Sequence, residues 1–213
     1  PGITSGGATA TPSVNLPGTY VLTVTADNGC TATANTTVSQ NTTAPNAGAS
    51  NTSTLTCTTT TATLTGTGGG SYSWSGPGIV SGGATANPVV NQSGTYTVTV
   101  TAANGCTATA NTSITQNASL PIATASNSST LTCSTRTIGL AGTGGGTYAW
   151  SGPGITSGGA TATPSVNLPG TYVLTVTAAN GCTATANTSV TQNTTAPTPG
   201  ASNSTTLTCN TTT

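Results

Sequence analysis

The chain has 213 residues and almost no charge: Arg136 is its single basic residue and Asp27 its single acidic one. Soluble domains usually carry about 25% charged residues, so threonine, serine, asparagine and glycine must supply the polar surface here. Binding of phosphate groups needs lysine and arginine, which excludes nucleic acid as a partner, and no apolar run approaches the roughly 18 residues of a membrane span.

The sequence repeats itself every 76 residues, since Pro1-Gly2-Ile3 returns at Pro77 and at Pro153. Residues 1–30 and 153–182 differ only at Asp27 and Ala179, whereas the middle copy differs at many positions, which gives a longer period of 152 residues. A fixed period of this kind indicates one folding unit per repeat. The chain begins and ends inside a repeat, so we expect it to be a section of a longer protein.

Short strands separated by turns are predicted along each repeat. In the middle repeat the predicted elements are, in chain order, a strand at 62–66, a glycine loop at 68–70, a strand at 71–74, turns at 76–78 and 81–83, and a short strand at 84–90. The bounds of these elements come from glycine and proline clusters that flank stretches rich in threonine and aliphatic residues.

The clearest strand covers residues 95–101, where Tyr96 and two valines share one face and threonines occupy the other. A period of two is that of a half-buried strand. An Asn-Gly pair follows, and this pair is preferred at the centre of a type I′ turn because both residues accept positive φ. A second alternating stretch covers residues 107–112. We therefore predict β-hairpins at Asn28-Gly29, Asn104-Gly105 and Asn180-Gly181.

About seven short strands per repeat, without one convincing helical stretch, predict a two-sheet antiparallel β-sandwich. Proline-containing segments at 42–45, 118–121 and 194–197 separate the repeats, and proline stiffens such connections. The predicted domains are the C-terminal part of one repeat at 1–43, complete repeats at 44–119 and 120–195, and the N-terminal part of a further repeat at 196–213.

Three motifs carry a resemblance to a known class of proteins: Tyr72-x-Trp74, then Gly94-Thr95-Tyr96-x-Val98-x-Val100, then Asn104-Gly105-Cys106-Thr107. They resemble immunoglobulin-like and PKD-like tandem repeats of large bacterial surface adhesins, of the gliding-adhesin type of Bacteroidota. The resemblance covers essentially the whole chain. It implies an all-β array of tandem immunoglobulin-like antiparallel β-sandwich domains, exported to the cell surface as a stalk, filament or adhesin. Such repeats often carry an acidic residue before the Asn-Gly turn, which only Asp27 matches, so we expect neither a metal nor a cofactor.

The six cysteines alternate at spacings of 27 and 49 residues: Cys30, Cys57, Cys106, Cys133, Cys182 and Cys209. Two per repeat in a chain of exported character predict disulfides, and zinc would need Cys-x-x-Cys pairs or histidines. Pairing within a repeat joins Cys57 to Cys106 and Cys133 to Cys182, with Cys30 and Cys209 paired outside the sequence. Pairing across a boundary joins Cys30 to Cys57, Cys106 to Cys133 and Cys182 to Cys209. We favour pairing within a repeat.

Trp74 and Trp150 have two interpretations, either as platforms that stack on sugars or as core residues of a sandwich. One tryptophan per repeat, with few other large apolar residues, favours the core. Tyr20, Tyr96 and Tyr172 share their strand faces with valine or leucine and are predicted core residues for the same reason. Outward rows of threonine could bind ice if they were flat, but the high β-propensity of threonine explains them without a ligand.

Asn-x-Ser/Thr triplets are abundant, and their asparagines are candidate glycosylation sites where a glycosylation system exists. These asparagines are Asn35, Asn41, Asn51, Asn91, Asn111, Asn117, Asn127, Asn187, Asn193 and Asn203.

No histidine, lysine or glutamate is present, so the sequence offers no general base and no carboxylate pair, and we predict that the protein is not an enzyme. The predicted function is a structural repeat region of an extracellular or cell-surface filament or adhesin stalk. Disulfides would staple this neutral rod, and rods would self-associate without charge repulsion. The alternative is a multivalent array of glycan- or surface-binding modules, which an exposed Trp74 would favour.

Overall fold

The computed structural model describes residues 2–204 and 208–209, and the only regular secondary structure in them is β-strand. No helix of these residues is long and apolar enough to cross a membrane. The chain forms two compact units. Unit 1 comprises the residues up to Thr54 together with Thr61–Thr115, and unit 2 comprises Leu55–Thr60 together with the residues from Gln116 onward.

The strands are short and are numbered here in chain order. They are β1 (Ile3–Ser5), β2 (Ser13–Val14), β3 (Gly18–Thr25), β4 (Thr31–Val38), β5 (Gly48–Asn51), β6 (Leu55–Thr56), β7 (Ala62–Thr67), β8 (Ser71–Ser75), β9 (Ile79–Ser81), β10 (Val89–Val90), β11 (Gly94–Thr101), β12 (Thr107–Ile114), β13 (Gln116–Asn117), β14 (Thr124–Asn127), β15 (Leu131–Thr132), β16 (Ile138–Thr143), β17 (Thr147–Ser151), β18 (Ile155–Ser157), β19 (Ser165–Val166), β20 (Gly170–Thr177), β21 (Thr183–Val190) and β22 (Gln192–Asn193). Each strand from β14 to β22 begins and ends 76 residues after its counterpart among β5 to β13.

The strand order identifies the fold of each unit. Unit 1 has a four-stranded sheet in the order β5-β7-β10-β9 and a three-stranded sheet β8-β11-β12, and unit 2 repeats this arrangement with β14-β16-β19-β18 and β17-β20-β21. These orders correspond to the ABED and CFG sheets of a constant-type immunoglobulin domain. The predicted fold class, all-β with tandem immunoglobulin-like antiparallel sandwiches, is therefore confirmed.

The core of unit 2 lies between its two sheets. Along β20 the side chains alternate, so that Tyr172, Leu174 and Val176 are buried while Val173 and Thr175 between them are only half-buried. The facing sheet contributes Ile138, Leu140 and Val166 to the same cluster. One face of the strand is therefore buried and apolar and the other is open to solvent, as the period-two pattern predicts.

A tyrosine fixes the corner before the long strand of each CFG sheet. The hydroxyl of Tyr96 donates a hydrogen bond to the Gln92 carbonyl oxygen at 2.6 Å, and that of Tyr172 donates to Leu168 at 2.7 Å. Both rings are fully buried. A tyrosine that bonds to the backbone a few residues upstream is the tyrosine corner of immunoglobulin-like domains.

Tyr20 differs from the prediction that it is a core residue, because it is only half-buried. Its hydroxyl makes the same corner, donating to the Leu16 carbonyl oxygen at 2.7 Å. However, β3 and β4 pair only with each other in the described residues. The apolar face of this hairpin, which includes Leu22 and Val24, is consequently about half exposed.

The predicted Asn-Gly hairpins form, but the prediction of type I′ turns is wrong. No described residue other than glycine has positive φ, so the asparagines of these turns keep negative φ, whereas Gly29, Gly105 and Gly181 are left-handed. In the second turn the Gly105 amide donates to the Ala102 carbonyl oxygen at 2.9 Å. This is a tight turn followed by a left-handed glycine. The asparagine side chain explains the choice, because its Oδ1 accepts a hydrogen bond from the cysteine amide two residues on.

The segment around residue 80 also differs from the prediction. Residues 79–81, which lie between the predicted turns and overlap the second one at Ser81, form the edge strand β9. The predicted strand at 84–90 is reduced to the two residues of β10. The backbone amide and the hydroxyl of Thr85 both donate to the Gly82 carbonyl oxygen at 2.8 Å, which holds residues 82–85 in a turn. Pro88 has no amide hydrogen to extend the ladder.

Both tryptophans lie on the third strand of a sandwich and are buried, with Trp74 7% and Trp150 8% exposed. Each indole N–H donates to a backbone carbonyl oxygen at 3.0 Å, Trp74 to Thr85 and Trp150 to Thr161. Trp150 crosses β16 at Gly142, where an added Cβ would lie 2.9 Å from ring atom Cζ2 and 2.7 Å from Leu174 Cδ2. The absence of a side chain at this glycine therefore makes room for the ring.

Gly142→Ala is expected to destabilise unit 2 by about 1–3 kcal/mol, because the methyl group would overpack the core beside Trp150. Urea denaturation followed by tryptophan fluorescence measures this. Gly139→Ala is the matched control on the same strand, since the nearest atom to its added Cβ is 4.0 Å away. Equal effects of the two substitutions would contradict the packing argument.

Stability is expected to be nearly constant between about pH 5 and 9 and to fall above about pH 10. Burial raises the pKa of Tyr96 and Tyr172 above the ordinary tyrosine value. As the pH rises, the tyrosine hydroxyls therefore lose their protons in the unfolded chain before they do so in the folded protein. The stability present below the tyrosine pKa of the unfolded chain is lost as the pH rises through the tyrosine pKa of the folded protein. Urea denaturation of alkylated protein across this range tests the prediction, and Tyr172→Phe should weaken the alkaline decline. A steep loss of stability near pH 7 would contradict it.

Candidate functional site

One disulfide forms within the described residues and joins Cys57 to Cys182. Its sulfurs are 1.96 Å apart, its Cα atoms are 5.0 Å apart, and 125 residues separate the two cysteines in the sequence. Cys57 directly follows β6, and Cys182 closes the turn between β20 and β21. Both lie in unit 2, although they belong to consecutive 76-residue sequence repeats.

This pairing corrects both predicted disulfide patterns. Neither Cys57–Cys106 with Cys133–Cys182, nor Cys30–Cys57 with Cys106–Cys133 and Cys182–Cys209, agrees with it. In the described residues Cys30, Cys106, Cys133 and Cys209 are free thiols.

The strand pairing of unit 2 explains why a repeat does not close its own disulfide. β15 runs parallel to β22, with Leu131 opposite Gln192, which places Cys133 beside the end of β22. Cys182 instead precedes β21, the eight-residue strand that leads to β22. At about 3.3 Å per residue the length of β21 alone separates the two cysteines by roughly 26 Å, far beyond the 7 Å limit between bonded Cα atoms.

The asparagine of the same turn holds the linker between the two repeats. The amide nitrogen Nδ2 of Asn180 donates to the backbone oxygen of Asn117 at 3.3 Å, to Asn117 Oδ1 at 3.0 Å and to the Ser119 carbonyl oxygen at 2.9 Å. Its Oδ1 accepts from the Cys182 amide at 3.1 Å. We call this set of contacts the turn–linker clamp.

Unit 1 contains a second turn–linker clamp with nearly the same distances. Nδ2 of Asn104 donates to the Asn41 carbonyl oxygen at 3.3 Å, to Asn41 Oδ1 at 3.1 Å and to the Thr43 carbonyl oxygen at 2.9 Å. The Cys106 amide donates to Asn104 Oδ1 at 3.0 Å. The clamp is therefore a recurring feature of the chain.

Each linker forms a turn that presents these acceptor oxygens. Oδ1 of Asn41 accepts from the Thr43 amide at 3.1 Å, and Oδ1 of Asn117 accepts from the Ser119 amide at 3.4 Å. Such turns, closed by the side chain of the first residue, order a short polar segment without help from secondary structure.

Close approach of the turn in unit 2 also depends on Gly181. A Cβ added to Gly181 would lie 2.4 Å from Thr58 Cγ2, and its φ is +77°. A larger residue would thus collide with the segment that follows Cys57 and would strain the turn. Gly29 and Gly105 have open space at the same position.

Sequence reasoning missed the turn–linker clamp, although a signal was present. An asparagine in each linker precedes an asparagine in a turn by 63 residues, at Asn41 and Asn104 and again at Asn117 and Asn180. The linker asparagine is explained by itself as part of a glycosylation triplet, and the turn asparagine by itself as a turn former. Only their proximity in the structure shows that the two act as a pair.

The side-chain nitrogens of two candidate glycosylation sites already donate hydrogen bonds within the fold. Nδ2 of Asn51 donates to Thr112 Oγ1 at 2.8 Å and to the Ser113 carbonyl oxygen at 2.7 Å, and Nδ2 of Asn127 donates to Ser189 at 3.0 Å. An N-linked glycan would replace a hydrogen on these nitrogens. The exposed candidates are Asn35, Asn41, Asn91, Asn111, Asn117, Asn187, Asn193 and Asn203. Glycosylation at any of the ten asparagines stays a prediction.

The threonine rows of β11 and β12 are in register, with Thr99 opposite Thr109 and Thr101 opposite Thr107. Their interpretation as strand-forming residues without a ligand stays the prediction. Within the described residues no group of three or more histidine, cysteine or acidic side chains could hold a metal ion.

No protein-family model and no curated protein sequence matches the chain. Among solved structures, it is similar to one of a 1.5-MDa bacterial ice-binding adhesin, with a TM-score of 0.44 and 17% identity over 83% of this chain and 74% of that chain. It is also similar to the I9–I11 tandem of titin, with a TM-score of 0.34 and 10% identity over 68% of this chain and 66% of that one. A tetra-tandem repeat from the extending region of a large adhesion protein gives a TM-score of 0.24 and 19% identity, covering 84% and 59% of the two chains.

Asn180→Ala is expected to cost about 1–3 kcal/mol more than Asn28→Ala. Both substitutions remove the hydrogen bond from Oδ1 to a cysteine amide, but only Asn180 also donates to a linker in the described residues. Urea denaturation under oxidising conditions measures the difference. Equal costs would show that the contacts of Asn180 with the linker contribute nothing to stability.

Proposed function

We propose that this chain is a structural repeat region of an extracellular filament or adhesin stalk, in which each repeat is fastened to the one before it. The observation that carries the proposal is the Cys57–Cys182 disulfide, which joins two consecutive sequence repeats. Independent binding modules need no covalent bond between consecutive sequence repeats, whereas a load-bearing stalk gains resistance to extension from such a bond.

The turn–linker clamp supports the same role. Linkers of a few polar residues normally leave neighbouring domains free to reorient. Here the two hydrogens on Nδ2 of Asn104, and likewise those of Asn180, are shared among three oxygens of a linker. All the groups in these contacts are neutral, so salt does not screen them as it screens surface ion pairs.

Disulfides persist in oxidising surroundings, which supports an extracellular or cell-surface location. The near absence of charge supports lateral association, because neighbouring stalks would not repel one another. Self-association into filaments or bundles therefore belongs to the proposal.

The alternative, an array of glycan-binding modules, has less support. Stacking on sugars needs an exposed aromatic face, whereas Trp74 and Trp150 are buried and their N–H groups are bonded to backbone oxygens. A glycan array screen of the oxidised chain tests this alternative. Glycan binding that disappears when exposed residues are substituted would favour the binding-module function.

Single-molecule stretching of the oxidised chain, pulled from its two ends, tests the stalk. The disulfide should shield the 125-residue span between Cys57 and Cys182, and at about 3.5 Å per residue the oxidised chain should extend roughly 430 Å less than the reduced one. Unit 2 should also yield at a lower force in the Cys57→Ser/Cys182→Ser variant, since only hydrogen bonds then hold the turn at Asn180 in place.

Cys106→Ser is the matched control, because it removes a free thiol and leaves the disulfide intact. Equal yield forces for the wild type and the Cys57→Ser/Cys182→Ser variant would overturn the mechanical role.

A further inference from the structure

The three Asn-Gly turns contain a pair of neighbouring groups that can react with each other. The amide nitrogen of a glycine can attack the side-chain carbonyl carbon of the asparagine before it, since glycine has no Cβ to shield that nitrogen. The three turns share one backbone conformation, with φ of +83°, +81° and +77° at Gly29, Gly105 and Gly181. Differences in reactivity among their asparagines therefore come from the surroundings of each turn.

Two hydrogen bonds are common to all three turns. The glycine amide donates to the carbonyl oxygen of the alanine three residues earlier, at 2.8 Å from Gly29 and at 2.9 Å from Gly105 and Gly181. The asparagine Oδ1 accepts from the amide of the cysteine two residues on, at 3.0 or 3.1 Å. The attacking N–H group and the carbonyl oxygen of the asparagine are thus held in the same way in each turn.

The side-chain nitrogen Nδ2, which leaves as ammonia in this reaction, distinguishes the turns. In Asn104 and Asn180 it donates to linker carbonyl oxygens, to Thr43 and to Ser119 respectively, both at 2.9 Å. In the described residues Asn28 donates to no linker. Attack by the glycine requires the carboxamide to turn toward the glycine nitrogen, and the linker contacts oppose this rotation.

The turn in unit 2 is also held by its disulfide to Cys57. A Cβ added to Gly181 would collide with Cγ2 of Thr58, whereas Gly105 has open space at this position. The cysteine of the turn in unit 1, Cys106, is a free thiol in the described residues. The linker therefore acts alone in unit 1 and together with the disulfide in unit 2.

We propose that Asn104 and Asn180 are deamidation sites that the turn–linker clamp keeps unreacted, and that deamidation opens the clamp irreversibly. The product has an oxygen where Nδ2 was, with no hydrogen to donate to the linker, and its negative charge repels the linker oxygens. The biological role of this step rests on the proposed structural function. A stalk whose linkers are pulled from their turns would lose these contacts permanently.

The reaction consumes water and needs no oxidant. The amide nitrogen of Gly181 loses its proton and attacks Cγ of Asn180, so an N–Cγ bond forms and the Cγ–Nδ2 bond breaks. Ammonia leaves with the two amide hydrogens and the proton from the glycine nitrogen, and a succinimide ring remains. Water then opens the ring at either carbonyl carbon, which gives aspartate or isoaspartate and returns a hydrogen to the nitrogen.

Site-resolved deamidation rates of the whole oxidised chain test the proposal. The chain is incubated in mildly alkaline buffer, and the peptides of the three turns are quantified by mass spectrometry. Asn28 should deamidate roughly tenfold faster than Asn104, because the linker contacts must open before Asn104 reacts, and Asn180 should be slowest. Isoelectric focusing counts the events independently, since each adds one negative charge to a chain with one acidic and one basic residue.

Two linker variants are matched controls for each other. Asn41→Ala removes an acceptor of Asn104 and the turn of its linker, so it should accelerate deamidation of Asn104 and leave that of Asn180 unchanged. Asn117→Ala should do the reverse. The unchanged site in each variant shows that the fold is intact. Equal rates at the three asparagines, or no acceleration of Asn104 by Asn41→Ala, would overturn the proposal.

Asn180→Asp tests the opening of the clamp, because it has the charge of the aspartate product. Backbone amides of the linker at 118–120 should exchange their hydrogens roughly fivefold faster in this variant, as expected for the loss of a net hydrogen bond. Asn28→Asp is the control and should leave this exchange unchanged. Equal exchange in the two variants would contradict the claim that deamidation opens the clamp.

These rates are independent of the stretching experiment, so the two proposals fail separately. Deamidation that does not depend on the linkers, with a lower yield force in the Cys57→Ser/Cys182→Ser variant, would keep the stalk and remove this inference. Deamidation that depends on the linkers, with equal yield forces, would keep the clamp chemistry and remove its role in a stalk.

Discussion

The side chain of one asparagine connects a hairpin turn to a linker in each of the two units. In Asn104 and Asn180 the oxygen shapes the turn by accepting from the cysteine amide, while the nitrogen holds the linker. An aspartate could accept from the cysteine amide but could not donate to the linker, because its carboxylate has no hydrogen. The turn that contains Asn180 also contains Cys182. The same turn therefore makes both the hydrogen bonds to the linker and the disulfide to Cys57.

The absence of charge makes such neutral contacts decisive. A chain with one acidic and one basic residue cannot rely on ion pairs for specificity, so amide and hydroxyl groups in fixed geometry must provide it. The core of the sandwich is likewise built from few large side chains. Small residues let a few large side chains fill the core, as where Trp150 lies across Gly142, and threonine covers the outer faces of the strands.

The sequence by itself determined the fold class and the positions of the long strands. The period-two pattern of Tyr96, Val98 and Val100, the Asn-Gly pairs and the repeated tryptophan depend on short-range preferences and on burial, which are readable locally. The short strand β10 and the turn type at Asn104 were predicted incorrectly, because side-chain hydrogen bonds of Thr85 and Asn104 to nearby backbone outweighed the general preferences of their neighbours. These are corrections of detail that leave the sandwich intact.

The disulfide partner of Cys57 was decided only by the tertiary structure. Sequence spacing leaves Cys106 and Cys30 as the candidate partners of Cys57, but β6 runs parallel to β13 and places Cys57 at the opposite end of β12 from Cys106. Which cysteines meet is thus set by the length and direction of strands, a long-range property that local patterns do not encode. The linker contacts of Asn180 have the same origin, because their partners lie more than 60 residues away.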